Sequence, residues 1–144
     1  VQVNDILSHK GSMVATISPE RPVSECVEVL REHGVGALVV SRDGERIDGI
    51  VSERDIVRHL ATSGPRLLGS PVSEIMTSDV RTCSPEDTLA RLMQVMTEHR
   101  IRHLPCQVDG KMCGIVSIGD VVKARMTELE EEARQLQGYI TRPY

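Results

Sequence analysis

Hydrophobic and polar positions along this chain follow a pattern that runs its course once and then starts again. Residues 14–17 form a short β-favouring run, closed by Ser18, Pro19 and Glu20. Val23, Cys26, Val27 and Leu30 then fall at i, i+3, i+4 and i+7, the signature of an amphipathic helix that Pro22 can open. Two apolar runs, Ala37–Val40 and 47–51, flank Arg42, Asp43, Gly44 and Glu45, which predicts a hairpin. A second helix is expected from Glu53. The series restarts at Val80, with a run at 80–83 and helical spacing of Leu89, Leu92, Met93 and Met96. Strands at 104–108 and 112–116 follow around Asp109 and Gly110, then a helix from Ile118. Each unit reads strand–helix–strand–strand–helix.

The residues repeat as well as the pattern. VATISPE at 14–20 returns as VRTCSPE at 80–86, and at the same offset Glu32 and His33 match Glu98 and His99, and Asp43 and Gly44 match Asp109 and Gly110. One residue nearer, GIVS at 49–52 matches GIVS at 114–117, and Asp55 matches Asp120. Such a repeat marks two copies of one supersecondary unit. The lead-ins are doubled too, VNDIL at 3–7 and VSEIM at 72–76. Between lead-in and first strand, however, the first copy has residues 8–13, including Lys10 and Gly11, where the second has only 77–79. The expected organisation is a lead-in and first motif over 1–61, a connector rich in Gly and Pro at 62–71, a lead-in and second motif over 72–126, and a C-terminal helical extension over 127–144. In that extension the charged helix at 122–137 carries Met126, Leu129, Ala133 and Leu136 on one stripe.

Composition narrows the function classes. The chain has 144 residues, 40% hydrophobic and 26% charged, as a globular domain should be. Its longest apolar run is the four residues Ala37–Val40, so no membrane span is expected. The first residues show no charged-then-apolar leader, which makes a cytoplasmic location the expectation. A net charge of −4 with mixed signs argues against a nucleic-acid partner. Cys26, Cys83, Cys106 and Cys113 form no C-x-x-C pair and are read as reduced, buried thiols. There is no Trp or Phe, and both tyrosines lie at Tyr139 and Tyr144, so aliphatic side chains would have to sandwich any planar base bound in the body of the chain.

The GIVSxxD ends of both repeats, GVGAL at 34–38 and RIRHLP at 100–105, resemble the CBS motif pair, a small-molecule-sensing module. The resemblance covers about residues 3–126. It implies an α/β fold in which two pseudo-twofold-related motifs pack as one disc with two clefts between them. It further implies a regulatory ligand such as AMP, ADP, ATP, an NAD-type dinucleotide or S-adenosylmethionine, with no cofactor required. A homodimer and a separate protein target are expected partners.

Ser52 with Asp55, and Ser117 with Asp120, stand at strand-to-helix junctions. One reading is a capping box and nothing more. The other is a ligand site, where a helix N-terminus meets phosphate and the Asp accepts from ribose hydroxyls. Arg54, facing Gly119 in the second repeat, can bind phosphate in bidentate fashion. Arg102 and His103, where the first repeat has Gly36 and Ala37, suggest a polar rim. The two clefts are therefore expected to be unequal, with Arg54 serving one and Arg102 with His103 the other. The resemblance sets Thr16 and Thr82 in strands beside the adenine, and Lys10 could reach a phosphate. No catalytic set carries a recognisable motif, and His99, His103, Cys106 and Cys113 do not have metal-site spacing, so neither enzyme nor metal site is expected. The rivals are a ligand-free dimerisation scaffold and a nucleotide hydrolase.

Overall fold

The computed structural model describes residues 1–141, and the side chains of residues 1–138. The last three residues of the C-terminal extension, 142–144, lie outside the described residues. In chain order the elements are α1 (Val3–Lys10), β1 (Thr16–Ile17), α2 (Val23–His33), β2 (Ala37–Val40), β3 (Gly49–Ser52), α3 (Glu53–Ser63), 3-10 helices at Gly64–Gly69 and Val72–Glu74, α4 (Leu89–His99), β4 (His103–Val108), β5 (Lys111–Ser117) and α5 (Ile118–Thr141). The α/β fold with two like motifs and a C-terminal helix is what the repeat predicted. The helix at 122–137 is the continuation of α5.

In the first motif β1 pairs parallel to β2, and β2 antiparallel to β3. In the second, β4 and β5 pair antiparallel, and the place of β1 is taken by a single parallel bridge between Cys83 and Cys106. The bonds there are equivalent. Ser41 N donates to Ile17 O at 2.9 Å in one motif, and Gln107 N to Cys83 O at 3.0 Å in the other. Asp109 and Gly110 turn the second hairpin with φ of 52° and 77°, the left-handed pair that a two-residue hairpin requires. The first hairpin opens wider. Asp43 Oδ1 accepts from Glu45 N and Arg46 N, both at 2.8 Å, so these donors are lost to the ladder. Strand β3 accordingly starts at Gly49, not at 47.

Two further expectations change. Val27 and Met93, placed by spacing on the buried helix faces, are 37% and 38% exposed, at the edge of those faces. The connector at 62–71 is not a plain linker. Helix α3 runs into it as far as Ser63, and the 3-10 helix after it buries Leu67 in the first core.

The lead-ins exchange motifs. Val3, Ile6 and Leu7 of α1 belong to the core built by Leu89, Leu92, Leu104 and Val116 of the second motif. Val72 and Ile75 belong to the core of Val23, Leu30, Leu38 and Val51 in the first. Neighbours in sequence are therefore not neighbours in the core, and each half is completed by a segment from the other.

The exchange accounts for the first glycine of each GIVS. A Cβ at Gly49 would stand 2.6 Å from Met76 Sδ and 2.9 Å from Thr77 O, and one at Gly114 would stand 2.7 Å from Leu7 Cδ2. The same hydrogen atom in both motifs lets the other motif's lead-in close onto the sheet.

Candidate functional site

A cavity of about 690 Å³ opens between the motifs. The first motif contributes Gly36, Ile50, Ser52, Arg54, Asp55 and Arg58 to its wall. The segment after the second lead-in adds Thr77, Asp79, Val80 and Arg81, and the second motif adds Arg100, Ile101, Arg102, His103 and Ile118. This size falls within the range of small-molecule pockets. Thr77 reaches the wall because its N–H donates to Ile50 O at 2.9 Å and its carbonyl accepts from Ile50 N at 3.0 Å, adding an edge to the first sheet.

At the head of α3 the capping box is complete. Asp55 N donates to Ser52 Oγ at 3.3 Å, while Ser52 N and Ser52 Oγ donate to Asp55 Oδ2 at 2.9 and 3.1 Å. All of these bonds to the carboxylate fall on Oδ2. Oδ1 accepts none among the described residues, so capping leaves one carboxylate oxygen for a ligand. The two readings of this motif are compatible.

Five arginines (Arg54, Arg58, Arg81, Arg100 and Arg102) share the cavity with three carboxylates, Glu53, Asp55 and Asp79. This corrects one expectation. Arg54 and Arg102 with His103 do not serve separate clefts; they line the same one, because β4 of the second motif faces the head of α3 across it. Arg102 immediately precedes β4. Burial holds the His103 imidazole below the ordinary histidine range; Glu53 and Asp120 oppose the shift, and Lys10 and Arg102 reinforce it. At neutral pH it is therefore an uncharged hydrogen-bonding group.

The second capping box repeats the first, with Ser117 N and Oγ donating to Asp120 Oδ2 at 2.8 and 3.0 Å and Asp120 N donating to Ser117 Oγ at 3.2 Å. Its surroundings differ. Lys10 Nζ donates to Asp120 Oδ2 at 2.7 Å and to Ile115 O at 2.9 Å. Lys10 is thus committed to a protein carboxylate and not held out for a phosphate. Burial alone would raise the Asp120 carboxyl, but the hydrogen bonds from Lys10 and Ser117 and the charge of Lys10 hold it below the ordinary carboxylate range. The cavity that Lys10 and Asp120 line with Asp5, His9 and Lys123 measures about 260 Å³.

Four proposed contacts line neither cavity: Ser117, which is engaged in the second capping box, and Ala37, Thr82 and Thr16. Ala37 is buried within β2, at 4% exposure. Thr82 accepts at its hydroxyl from Gln107 Nε2 at 3.1 Å. Thr16 pairs with Val39 in the first sheet. Sequence reasoning missed Arg58, Arg81 and Arg100. For Arg100 a signal existed, since it stands where the first repeat has Gly34. Both residues end their helices in the left-handed region, Gly34 at φ 61° and Arg100 at φ 52°. That backbone disfavours any side chain by ~1–2 kcal/mol, and Arg100 adopts it on the cavity wall.

The comparisons with known proteins agree with this geometry. The family model for the CBS domain matches residues 3–62 and 72–127, and the chain belongs to that family. The mitochondrial CBS domain-containing protein CBSX3 of Arabidopsis thaliana is 37% identical over 150 residues, covering 99% of this chain and 73% of the relative. A CBS-domain protein of Agrobacterium tumefaciens superposes with a TM-score of 0.83 at 42% identity, over 86% of this chain and 92% of that one. A CBS domain protein of Pyrobaculum aerophilum, solved in complex with AMP, superposes with a TM-score of 0.74 at 27% identity, over 83% of this chain and 89% of that one. No helix among the described residues is long and apolar enough to cross a membrane.

Proposed function

We propose that this CBS pair is a non-catalytic sensor that binds an adenine nucleotide in the 690 Å³ cleft, with ADP or ATP preferred to AMP. The observation that carries the reading is that five arginines line one cavity with the capped head of α3 and a carboxylate with one oxygen unspent. The AMP bound by the Pyrobaculum relative supports the ligand class. In this reading Ile50, Val80 and Ile101 sandwich the base in place of the missing aromatics. Asp55 accepts from the ribose hydroxyls, and Ser52 and the N-terminus of α3 meet the first phosphate. Arg54, Arg58, Arg81, Arg100 and Arg102 take the further phosphates, and His103 donates as a neutral group. The ligand bridges both motifs, so it favours one angle between them, and an angle is what a partner can read.

Calorimetry of the full chain with adenosine, AMP, ADP and ATP tests this. Affinity should rise with each phosphate, and Arg102→Ala should weaken ATP at least fivefold while leaving adenosine within about twofold, a gap of roughly 0.5 kcal/mol or more. Equal losses for both ligands would remove the phosphate role. An absence of heat with the whole panel would leave a ligand-free scaffold, and phosphate accumulating with time would replace sensing by hydrolysis.

Arg100 gives an independent check. Arg100→Gly should raise stability by about 1 kcal/mol, because glycine relieves the left-handed backbone, and should weaken ATP several-fold. Urea midpoints and ATP titrations read both. A variant that gains stability and keeps its ATP affinity would show that the strain serves no ligand.

We also propose that the chain assembles as a homodimer. Val27 and Met93 are equivalent positions, as are Val57 and Val122, and these pairs are exposed at 37%, 38%, 66% and 51%. Met126, Leu129 and Leu136 of α5, exposed at 57%, 47% and 64%, are likewise not covered by the chain's own motifs. A single species of 15.9 kDa in sedimentation would remove this part of the reading.

A further inference from the structure

The two halves of this protein begin from one plan, and one of their departures from it is a lysine. In the first motif Ile50 O accepts from Thr77 N at 2.9 Å, a backbone group of the extended chain after the second lead-in. In the second motif the equivalent carbonyl, Ile115 O, accepts at the same distance from Lys10 Nζ. The cause is local. The second lead-in ends its 3-10 helix at Glu74 and is extended by Thr77, whereas α1 continues to Lys10 and stops at Gly11, whose φ is 95°. The longer helix withdraws the backbone from the sheet edge and sends a side chain there instead.

That side chain arrives with a charge. Its ammonium binds Asp120 at 2.7 Å, the counterpart of Asp55, which has no cation bound to it among the described residues. The flanking positions agree. The counterparts of Arg54, Arg102 and His103 are Gly119, Gly36 and Ala37, none of them a phosphate-reading group, so Asp120 has an internal cation where Asp55 shares a cavity with arginines. The cavity beside Asp120 lies between α1 and α5, with no wall from the first motif's strands, and measures about 260 Å³, below the usual lower bound of roughly 300 Å³ for a ligand pocket.

We infer that Lys10 is a built-in plug: its ammonium, bonded to Asp120 Oδ2 and Ile115 O, neutralises the second Ser-x-x-Asp carboxylate and stands in the space beside it, and so limits the chain to one nucleotide. This rests on the nucleotide-binding reading above. Removing the ammonium should uncover a second site. Lacking the arginines, that site should take AMP and adenosine within about threefold of one another, unlike the first.

Calorimetry with AMP on the full-length protein, Lys10→Ala and Lys10→Met decides the matter. Lys10→Met keeps the aliphatic stem and guards against a folding defect in the alanine variant, and a thermal melt of each confirms the fold. The expected result is one AMP per wild-type chain and two per chain in at least the alanine variant, with the first site's affinity unchanged within twofold. Two sites in the wild type would overturn the plug and leave the nucleotide reading standing. So would folded variants that still bind one. If neither wild type nor variants bind AMP, adenosine or ATP, the nucleotide reading fails and takes the plug with it.

Discussion

Asp55→Ala should weaken adenine nucleotides by tenfold or more, about 1.4 kcal/mol, while Asp120→Ala should leave AMP affinity within about threefold. The two aspartates are twins in sequence and in capping, since each accepts from the N–H and hydroxyl of its own serine. Only Asp55 lines the large cleft, and only Asp120 is held by Lys10. Both variants lose a cap, worth about 1 kcal/mol. Asp120→Ala also strands the Lys10 ammonium, so it should be the less stable of the two at neutral pH. Acid discriminates further. Because the folded carboxyl of Asp120 lies below its ordinary value, its contribution is complete above the unfolded value near ~3.9. It is lost as pH falls through the folded value. The stability gap between wild type and Asp120→Ala should therefore shrink below about pH 4. Urea melts at neutral and acid pH, set beside titrations with AMP, give every quantity needed. An Asp55→Ala protein that melts early but binds AMP as wild type does would reduce that residue to a cap.

Much of this was legible in the sequence, and the reason is that it was local. Helical spacing, the Asp109–Gly110 turn and the Ser-x-x-Asp junctions are set within a few residues, and the repeat let each half check the other. What escaped was pairing at long range. Nothing in VNDIL says that Val3 and Leu7 will complete the second core while Val72 completes the first. The same blindness assigned Arg54 and Arg102 to different clefts, because sequence shows which repeat a residue belongs to and not which residues face it across an interface. Arg58 and Arg81 looked like ordinary solvated cations, and they matter only because the fold gathers them. Lys10 was singled out correctly as belonging to an unmatched segment, yet its partner lies 110 residues away. Asymmetry between repeats located the positions that differ, and only geometry said what each difference does.

Gly49→Ala should destabilise the protein by about 1–3 kcal/mol, the usual range for overpacking, and by more than Gly114→Ala. The glycines are equivalent in sequence, and each lies under a lead-in from the opposite motif. At Gly114 the new methyl would meet the terminal carbons of Leu7, at 2.7 and 2.9 Å, which a rotamer change in α1 can move aside. At Gly49 it would meet Met76 Sδ at 2.6 Å, and that flexible side chain can move too. The carbonyl of Thr77 at 2.9 Å cannot, because it is tied to Ile50 N at 3.0 Å. Relief there requires breaking the bridge that extends the first sheet. Ile50 and Thr77 both line the 690 Å³ cleft, so the damage should not stop at stability. Under conditions where Gly49→Ala is still folded, AMP affinity should fall several-fold, whereas folded Gly114→Ala should bind as wild type does. Equilibrium unfolding of the two variants, followed by AMP titration of each below its transition, tests both halves of the expectation. Equal costs at the two glycines would mean that the Thr77 backbone yields as easily as a leucine side chain, and the bridge would then have no part in shaping the site.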